Sequence, residues 1–512
     1  MISEPRADLC AALAADLTGL SYTSARLRAL WGVPADAALG RGSAHPARAA
    51  LHASNDPVAL VARLFWLGDP VPADALAPVM PRTGIDGLGQ LGLVESDGEL
   101  VRPRAMIRPQ AYVDDAGTGE WWIASDLDEL ALGGSLPPDH VLGVGGASMT
   151  LAGLQVPVPG GSVLDLGAGC GIQALRARRA AASVLATDVS LAALRYTRFN
   201  ALLNGVDGID VRHGSLYEPV AGERFDRIVS NPPFVITPRK EGVPAYEYRD
   251  GGLVGDALVQ QVVADAGRHL TAGGIAQLLG NWEYRDDEDG LDRVRRWVGE
   301  SAAAASGVEL DAWVIERERL DPAAYAEMWI RDGGTVPGSP AFDELLGAWL
   351  RDFADRGVSE VGFGYILLRR SVAGNPPLSR YERIAHPIAE RGLGAHLAAA
   401  LAAHDRQAAL DDDELATTRL RVADDVTEAR HHLPGAADPS VIELRQGGGF
   451  ARTVTADTGL AALVGSCDGD LDVGTLVDAI AHLLEVDAAD LRRELLPRVR
   501  ELLVDGILSF VE

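Results

Sequence analysis

From residue 162 onward, short apolar runs alternate with longer stretches whose apolar residues recur every three or four positions. That alternation predicts strands and helices in turn. Runs at 163–166, 184–187, 210–213, 225–230 and 275–279 read as strands, and 171–180, 191–204 and 253–269 as helices. Each parallel strand needs a crossover, so the order predicts a parallel α/β sheet. Segments 311–317 and 361–368 are expected to close it as an antiparallel hairpin, giving a Rossmann-like sheet of seven strands. Between them, helical patterns over 322–329 and 342–353 predict an inserted arm.

The flanks follow other patterns. Residues 1–115 read as helices, amphipathic at 57–67, with further helices at 73–80 and 84–91. These lead into Leu93-Val94-Glu95, the turn Ser96-Asp97-Gly98 and a returning strand, a winged-helix-like order. Such a unit either docks nucleic acid through a recognition helix or caps a substrate or partner. A hairpin-like connector spans 110–124. The glycine-rich stretch 141–148 either lies over a ligand or forms the entrance to the next helix. Residues 371–512 contain the acidic run Asp411-Asp412-Asp413-Glu414 and end in a helix, helix, short-strand order, a second winged-helix-like pattern suited to packing or dimerisation. Three domains are therefore expected: 1–115, 116–370 and 371–512.

Candidate chemistry lies in the middle part. VLDLGAGCGI, residues 163–172, is a strand that ends on an acidic residue and turns through Gly167, Gly169 and Gly171 into a helix. Doubly wound sheets open nucleotide pockets in this way. Asp188 closes the second strand, where a carboxylate can accept ribose hydroxyls. Either aspartate could instead be purely local, Asp165 capping a helix and Asp188 closing an Asx turn. After the strand 225–230 comes Asn231-Pro232-Pro233-Phe234. The two prolines cannot continue a ladder and hold polar groups at the carboxyl edge of the sheet.

Together these motifs resemble the class I S-adenosylmethionine-dependent methyltransferases, and within them the amino-methylating branch with [DNS]-P-P-[YFW] after the fourth strand. VLDLGAGCGIQAL, Asp188-Val189-Ser190 and NPPF look most like the glutamine-amide methyltransferases of release factors and the guanine-amine methyltransferases of ribosomal RNA. The likeness covers roughly residues 140 to 370. It implies S-adenosylmethionine as cofactor, held by Asp165, Gly167, Ala168, Gly169, Gly171, Asp188, Val189, Ser215, Leu216 and Asn231. Ser215 stands where the family often has an acidic residue for the adenine amine, and a hydroxyl is a weaker partner. The resemblance also assigns methyl transfer to Asn231, Pro232, Pro233 and Phe234. An amide or aryl amine has a delocalised lone pair, and two acceptors on its NH₂ would aim that pair at the methyl. Tyr246 and Arg249, in the following loop, are candidates for a substrate wall. Asn281-Trp282-Glu283, just past the strand 275–279, also falls at the catalytic edge.

Composition narrows the acceptor. Lysine plus arginine number 46 against 73 acidic residues, a net charge of −27 over 512 residues. Acidic residues outnumber basic ones in all three parts, which weighs against gripping phosphate backbones. The 3 cysteines, widely spaced, indicate neither a disulfide framework nor a metal site. No signal-peptide core opens the chain and no apolar run is long enough to span a bilayer, so a cytoplasmic enzyme is expected. The leading expectation is an N-methyltransferase acting on a protein glutamine amide or a small-molecule amide, amine or guanidine. The alternatives are an RNA base-amine methyltransferase and a non-catalytic cofactor-binding interaction protein. The terminal domains are expected to shape access or to form a homo-oligomer.

Overall fold

The computed structural model describes residues 2–511 except 115–116, 134–135, 241, 245–246, 306, 372–373 and 390–391. The chain divides into two compact units. The first holds residues 1–152, 158–308 and 312–370, the second 153–157, 309–311 and 371–512.

The first unit is a mixed α/β body built on a large, mostly parallel sheet. Its strands are β1 (Ser162–Leu166), β2 (Ser183–Asp188), β3 (Ile209–His213), β4 (Phe225–Ser230), β5 (Leu270–Arg285), β6 (Leu310–Leu320) and β7 (Val358–Arg370). They run in the spatial order β6-β7-β5-β4-β1-β2-β3. Strands β5, β4, β1, β2 and β3 are mutually parallel, and β7 runs antiparallel to β5. β1 and β4 are buried along nearly their whole length, and their polar members Asp165, Arg227 and Ser230 are buried with the apolar ones. The chain winds outward from β1 in one direction and from β4 in the other. The carboxyl edge between them is thus the point where an open α/β sheet forms its ligand crevice.

β5 is far longer than the predicted 275–279. Asn281, Trp282 and Glu283 lie within the strand, paired with Phe363, Gly362 and Val361 of β7, rather than beyond it. Their polarity hid the strand, because each is buried against a partner that the sequence does not show. The Glu283 carboxylate meets Arg285 and Arg356, and its backbone N–H donates to Asp256 at 2.9 Å. A Cβ on Gly364 would collide with the Ile315 carbonyl and the Trp282 ring, so glycine there lets Trp282 lie across the strand.

Helices α1 (Ile172–Arg178), α2 (Leu191–Leu203), α3 (Ala257–Ala266) and α4 (Gly290–Ala304) cross between strands. The arm is two helices, α5 (Pro322–Asp332) and α6 (Pro340–Asp355). Each starts with proline after a capping residue, Asp321 accepting from Ala323 and Ala324 N–H, and Ser339 from Phe342 N–H.

The N-terminal stretch lies within the first unit. Its helices and its small sheet, ordered Val71–Pro72, Leu100–Pro103, Val94–Ser96, bury Leu13, Leu17, Phe65 and Leu88 in one core with Ala192, Tyr196 and Phe199 of α2. The hairpin Met106–Asp114 and Gly117–Ser125 is held on α2 by Asn200 and Asn204, whose side-chain oxygens accept from Ala124 N–H (2.8 Å) and Trp122 N–H (2.9 Å).

In the second unit, helices Thr458–Ser466, Val473–Leu484 and Ala488–Asp505 close over Leu463, Val477, Leu495 and Leu502. A sheet of Asp468–Asp472, Arg419–Val422 and Leu508–Phe510 accompanies them. The meander Val426–His431, Val441–Gln446 and Thr453–Ala456 was not legible in the sequence. No described helix is long and apolar enough to cross a membrane.

Candidate active site

The turn after β1 leaves a cradle at the sheet edge. Gly167 and Gly169 have φ of +75° and +55°, and a Cβ built on either meets nothing within 4 Å. Open space therefore faces both positions. Gly171, also left-handed, differs: its Cβ would press on Thr197 of α2 at 3.0 Å, which makes it a packing glycine. The N–H groups of Gly167 and Ala168 donate to the Thr187 carbonyl (2.9 and 3.0 Å), and that of Gly171 to Ala168 (2.8 Å). The turn consumes these amides, so the cradle offers close backbone approach rather than a row of donors.

Two carboxylates flank it. Asp165 is fully buried, and neither oxygen has a hydrogen-bond partner among the described residues. Burial pushes its pKa up to about 7. The charge of the buried Arg227 offsets part of this burial cost, and a cationic or strongly donating ligand can offset more. Asp188 does make the Asx turn: Oδ1 accepts from Ser190 N–H (2.8 Å), while Oδ2 accepts from Gly169 N–H (2.9 Å). These contacts fix the carboxylate beside the glycine turn, and each oxygen retains an acceptor lone pair. Burial raises its pKa too. The Gly214 N–H donates to the Asp188 carbonyl at 3.1 Å, bringing the loop after β3 to the same edge. There Ser215 is exposed, Leu216 half-buried with φ of +47°, and Val189 exposed.

NPPF sits one strand away. The Ser230 hydroxyl donates to the Leu166 carbonyl (2.7 Å), which locks the end of β4 to the end of β1. Asn231 Nδ2 donates to Ser148 Oγ at 3.4 Å, whereas its Oδ1 is buried and has no hydrogen-bond partner among the described residues. Ser148 belongs to the helix Gly146–Leu154, so the glycine-rich stretch is the entrance to a helix. The Gln173 side chain ties that helix to α1 through the Ser148 carbonyl (2.7 Å). Pro232 is buried, and Pro233 and Phe234 are half-buried.

Beyond Phe234 opens a cavity of about 240 Å³. Phe234, Phe363, Trp329, Tyr325 and Met328 form most of its wall, with Asn281 and Glu318 as the main polar members. Phe234 packs against Phe363 (ring centroids 5.4 Å apart) and edge-on against Trp329 (6.4 Å). Tyr325, Met328 and Trp329 come from α5, so the arm supplies a face of the site. Sequence reasoning placed the arm but missed its contact with NPPF, since nothing local links residues so far apart.

Arg249 is buried. It pairs with Asp250 (3.0 Å) and donates to the Trp329 carbonyl (3.0 Å), anchoring α5 rather than lining the cavity. Tyr246 lies outside the described residues. Of the trio on β5, Asn281 lines the cavity, while Trp282 donates to Glu316 (2.9 Å) and Glu283 belongs to the ion-pair network.

Comparison with known proteins fits this geometry. Residues 19–104 match a family described as a domain of unknown function, DUF7059. A release factor glutamine methyltransferase of Xylella fastidiosa is 39% identical over 130 residues, 24% of this chain and 47% of the relative. The ribosomal RNA small subunit methyltransferase C of Salmonella choleraesuis is 31% identical over 211 residues, 40% of this chain and 53% of the relative. The chain thus spans about half the length of these relatives. A solved structure of ribosomal protein L11 methylase from Lactobacillus delbrueckii is 25% identical, with a TM-score of 0.23, over 30% of this chain and 67% of that one. Residues 145–294, which contain both the glycine cradle and NPPF, match the methyltransferase small domain family, in agreement with the resemblance read from the motifs.

Proposed function

We propose that this protein is an S-adenosylmethionine-dependent N-methyltransferase acting on a planar nitrogen, either a protein glutamine amide or a small-molecule amide, amine or guanidine. The observation that carries the reading is the buried, unpartnered Asn231 Oδ1 at the sheet edge beside the glycine cradle. A buried acceptor without a donor costs about 1–3 kcal/mol and persists where a ligand supplies the donor.

The residues fit the cofactor. Asp165, buried and unpaired, suits its ammonium; Gly167 and Gly169 give the methionine part room; Asp188 can accept ribose hydroxyls; and Ser215 and Leu216 flank the adenine. When bound, the cofactor supplies an electrophilic methyl on a sulfonium. Asn231 Oδ1 and the Pro232 carbonyl accept the two hydrogens of the acceptor NH₂, aiming its lone pair and dispersing charge as the C–N bond forms. Phe234 stacks on the flat group. Gly171 and Arg249 act indirectly, through packing on α2 and anchoring of α5. The terminal parts, winged-helix-like in element order, shape access or self-association.

The rRNA methyltransferase relatives favour a second reading, an RNA base-amine acceptor. Salt separates the two, because RNA binding through phosphates weakens steeply as salt rises. Calorimetry of S-adenosylmethionine against NAD, followed by labelled-methyl incorporation into separated protein, small-molecule and RNA fractions, tests the proposal. Tight binding of NAD alone would overturn it.

A further inference from the structure

The cavity behind Phe234 shares that ring with the methyl-transfer motif, but Asn231 is not among the residues that line it. Its wall is mostly aromatic and aliphatic, and among the described residues that line it the one charged side chain is the exposed Glu318. None of the described lining residues is a cation that would hold a phosphate. The volume, about 240 Å³, is below the range of pockets for drug-sized ligands and suits one ring-sized group.

Asn281 breaks the apolar lining. It is 1% exposed, and its Nδ2 donates to the Tyr325 hydroxyl at 2.5 Å. That hydroxyl also accepts from Ile236 N–H at 3.0 Å, two residues beyond Phe234. The amide is thereby pinned, while its Oδ1 remains buried with no partner among the described residues. Asn281 is a lining residue of the cavity, as Phe234 is, and Asn231, the other asparagine with a buried orphan oxygen among the described residues, stands three residues before Phe234.

Building on the acceptor assignment above, we infer that the cavity selects a methyl acceptor carrying an uncharged, flat, largely apolar ring with an N–H donor, and that Asn281 Oδ1 accepts that hydrogen. Asn281 is then a specificity-determining residue. A site built to bond a donor rejects the analogue lacking it, because the buried acceptor is left unpaired.

Binding of ring-sized probes to the full-length protein tests this without reference to methyl transfer. Indole presents an N–H, and benzofuran places an acceptor oxygen at the same position. Calorimetry should find indole bound at least about tenfold more tightly. Asn281→Leu should bring the ratio close to one. Met328→Trp, at a half-exposed wall position, should weaken both probes while leaving the circular dichroism unchanged. Equal or tighter binding of benzofuran, or indole binding that survives Met328→Trp in a folded protein, would overturn the inference. Loss of methyl transfer in Asn231→Ala reads the function proposal separately and does not move these outcomes.

Discussion

The Asp165 carboxylate on β1 and the Asn231 Oδ1 just past the end of β4 are buried oxygens without hydrogen-bond partners among the described residues, and each makes a separate prediction. The Asp165 carboxyl has its pKa raised from 3.8 to about 7 by burial. Between these values the folded protein keeps a proton that the unfolded chain releases. Stability contributed by this group therefore falls as pH rises from about 4 to about 7 and is flat above that. Asp165→Asn should remove the loss, gaining roughly 2–3 kcal/mol relative to wild type between pH 5 and pH 8 in denaturant unfolding. It should also weaken S-adenosylmethionine binding at least about tenfold, since the charge facing the ammonium is gone. Parallel stability curves for the two proteins would contradict this account of Asp165. Glycine substitutions divide along the same geometry. Gly171→Ala should destabilise the fold by about 1–3 kcal/mol through the contact with Thr197 and the left-handed backbone. Gly169→Ala keeps the backbone cost but projects a methyl into the cradle, so cofactor affinity should fall more than stability.

At the level of elements, α5 is where the site departs most from its motifs. Tyr325→Phe removes the shared acceptor for Ile236 N–H and Asn281 Nδ2 and loosens one of the ties between the arm and the loop after NPPF, the Arg249 anchor remaining. Acceptor KM should rise while cofactor affinity stays near the wild-type value; an unchanged KM would mean that the arm does not form the acceptor wall. β1, β2 and β4 were legible from the short apolar stretches Val163-Leu164, Val184-Leu185-Ala186 and Ile228-Val229, which two-sided burial favours, and the cradle and NPPF because turns and prolines are written locally. The far half of β5 was not legible. Its Asn, Trp and Glu look like loop residues until Asp256, Arg356 and Glu316 are brought to them by distant elements. The same non-locality concealed Tyr325 and Trp329, which the sequence marks only as members of an amphipathic helix. Arg249 illustrates the opposite error. An arginine in a loop after the motif reads as a substrate contact, and its burial against Asp250 and α5 makes it an anchor.

For the whole molecule, the shared core between the N-terminal helices and α2 sets what can be removed. A chain ending at residue 370 should keep S-adenosylmethionine affinity within about threefold of the full protein, because the cradle lies wholly in the first compact unit. A fragment of 140–370 should misfold, since it uncovers Ala192, Tyr196 and Phe199 of α2. A well-folded 140–370 fragment would show that the N-terminal part is dispensable for that core. The central claim, that Asn231 Oδ1 aims the acceptor nitrogen, is tested most directly by comparing wild type and Asn231→Ala for labelled-methyl turnover on the acceptor fraction and for S-adenosylmethionine affinity. Turnover should drop on the order of a hundredfold or more, about 3 kcal/mol, with cofactor affinity nearly unchanged. Undiminished turnover on the true acceptor would contradict the mechanism and leave NPPF as a strand terminator only.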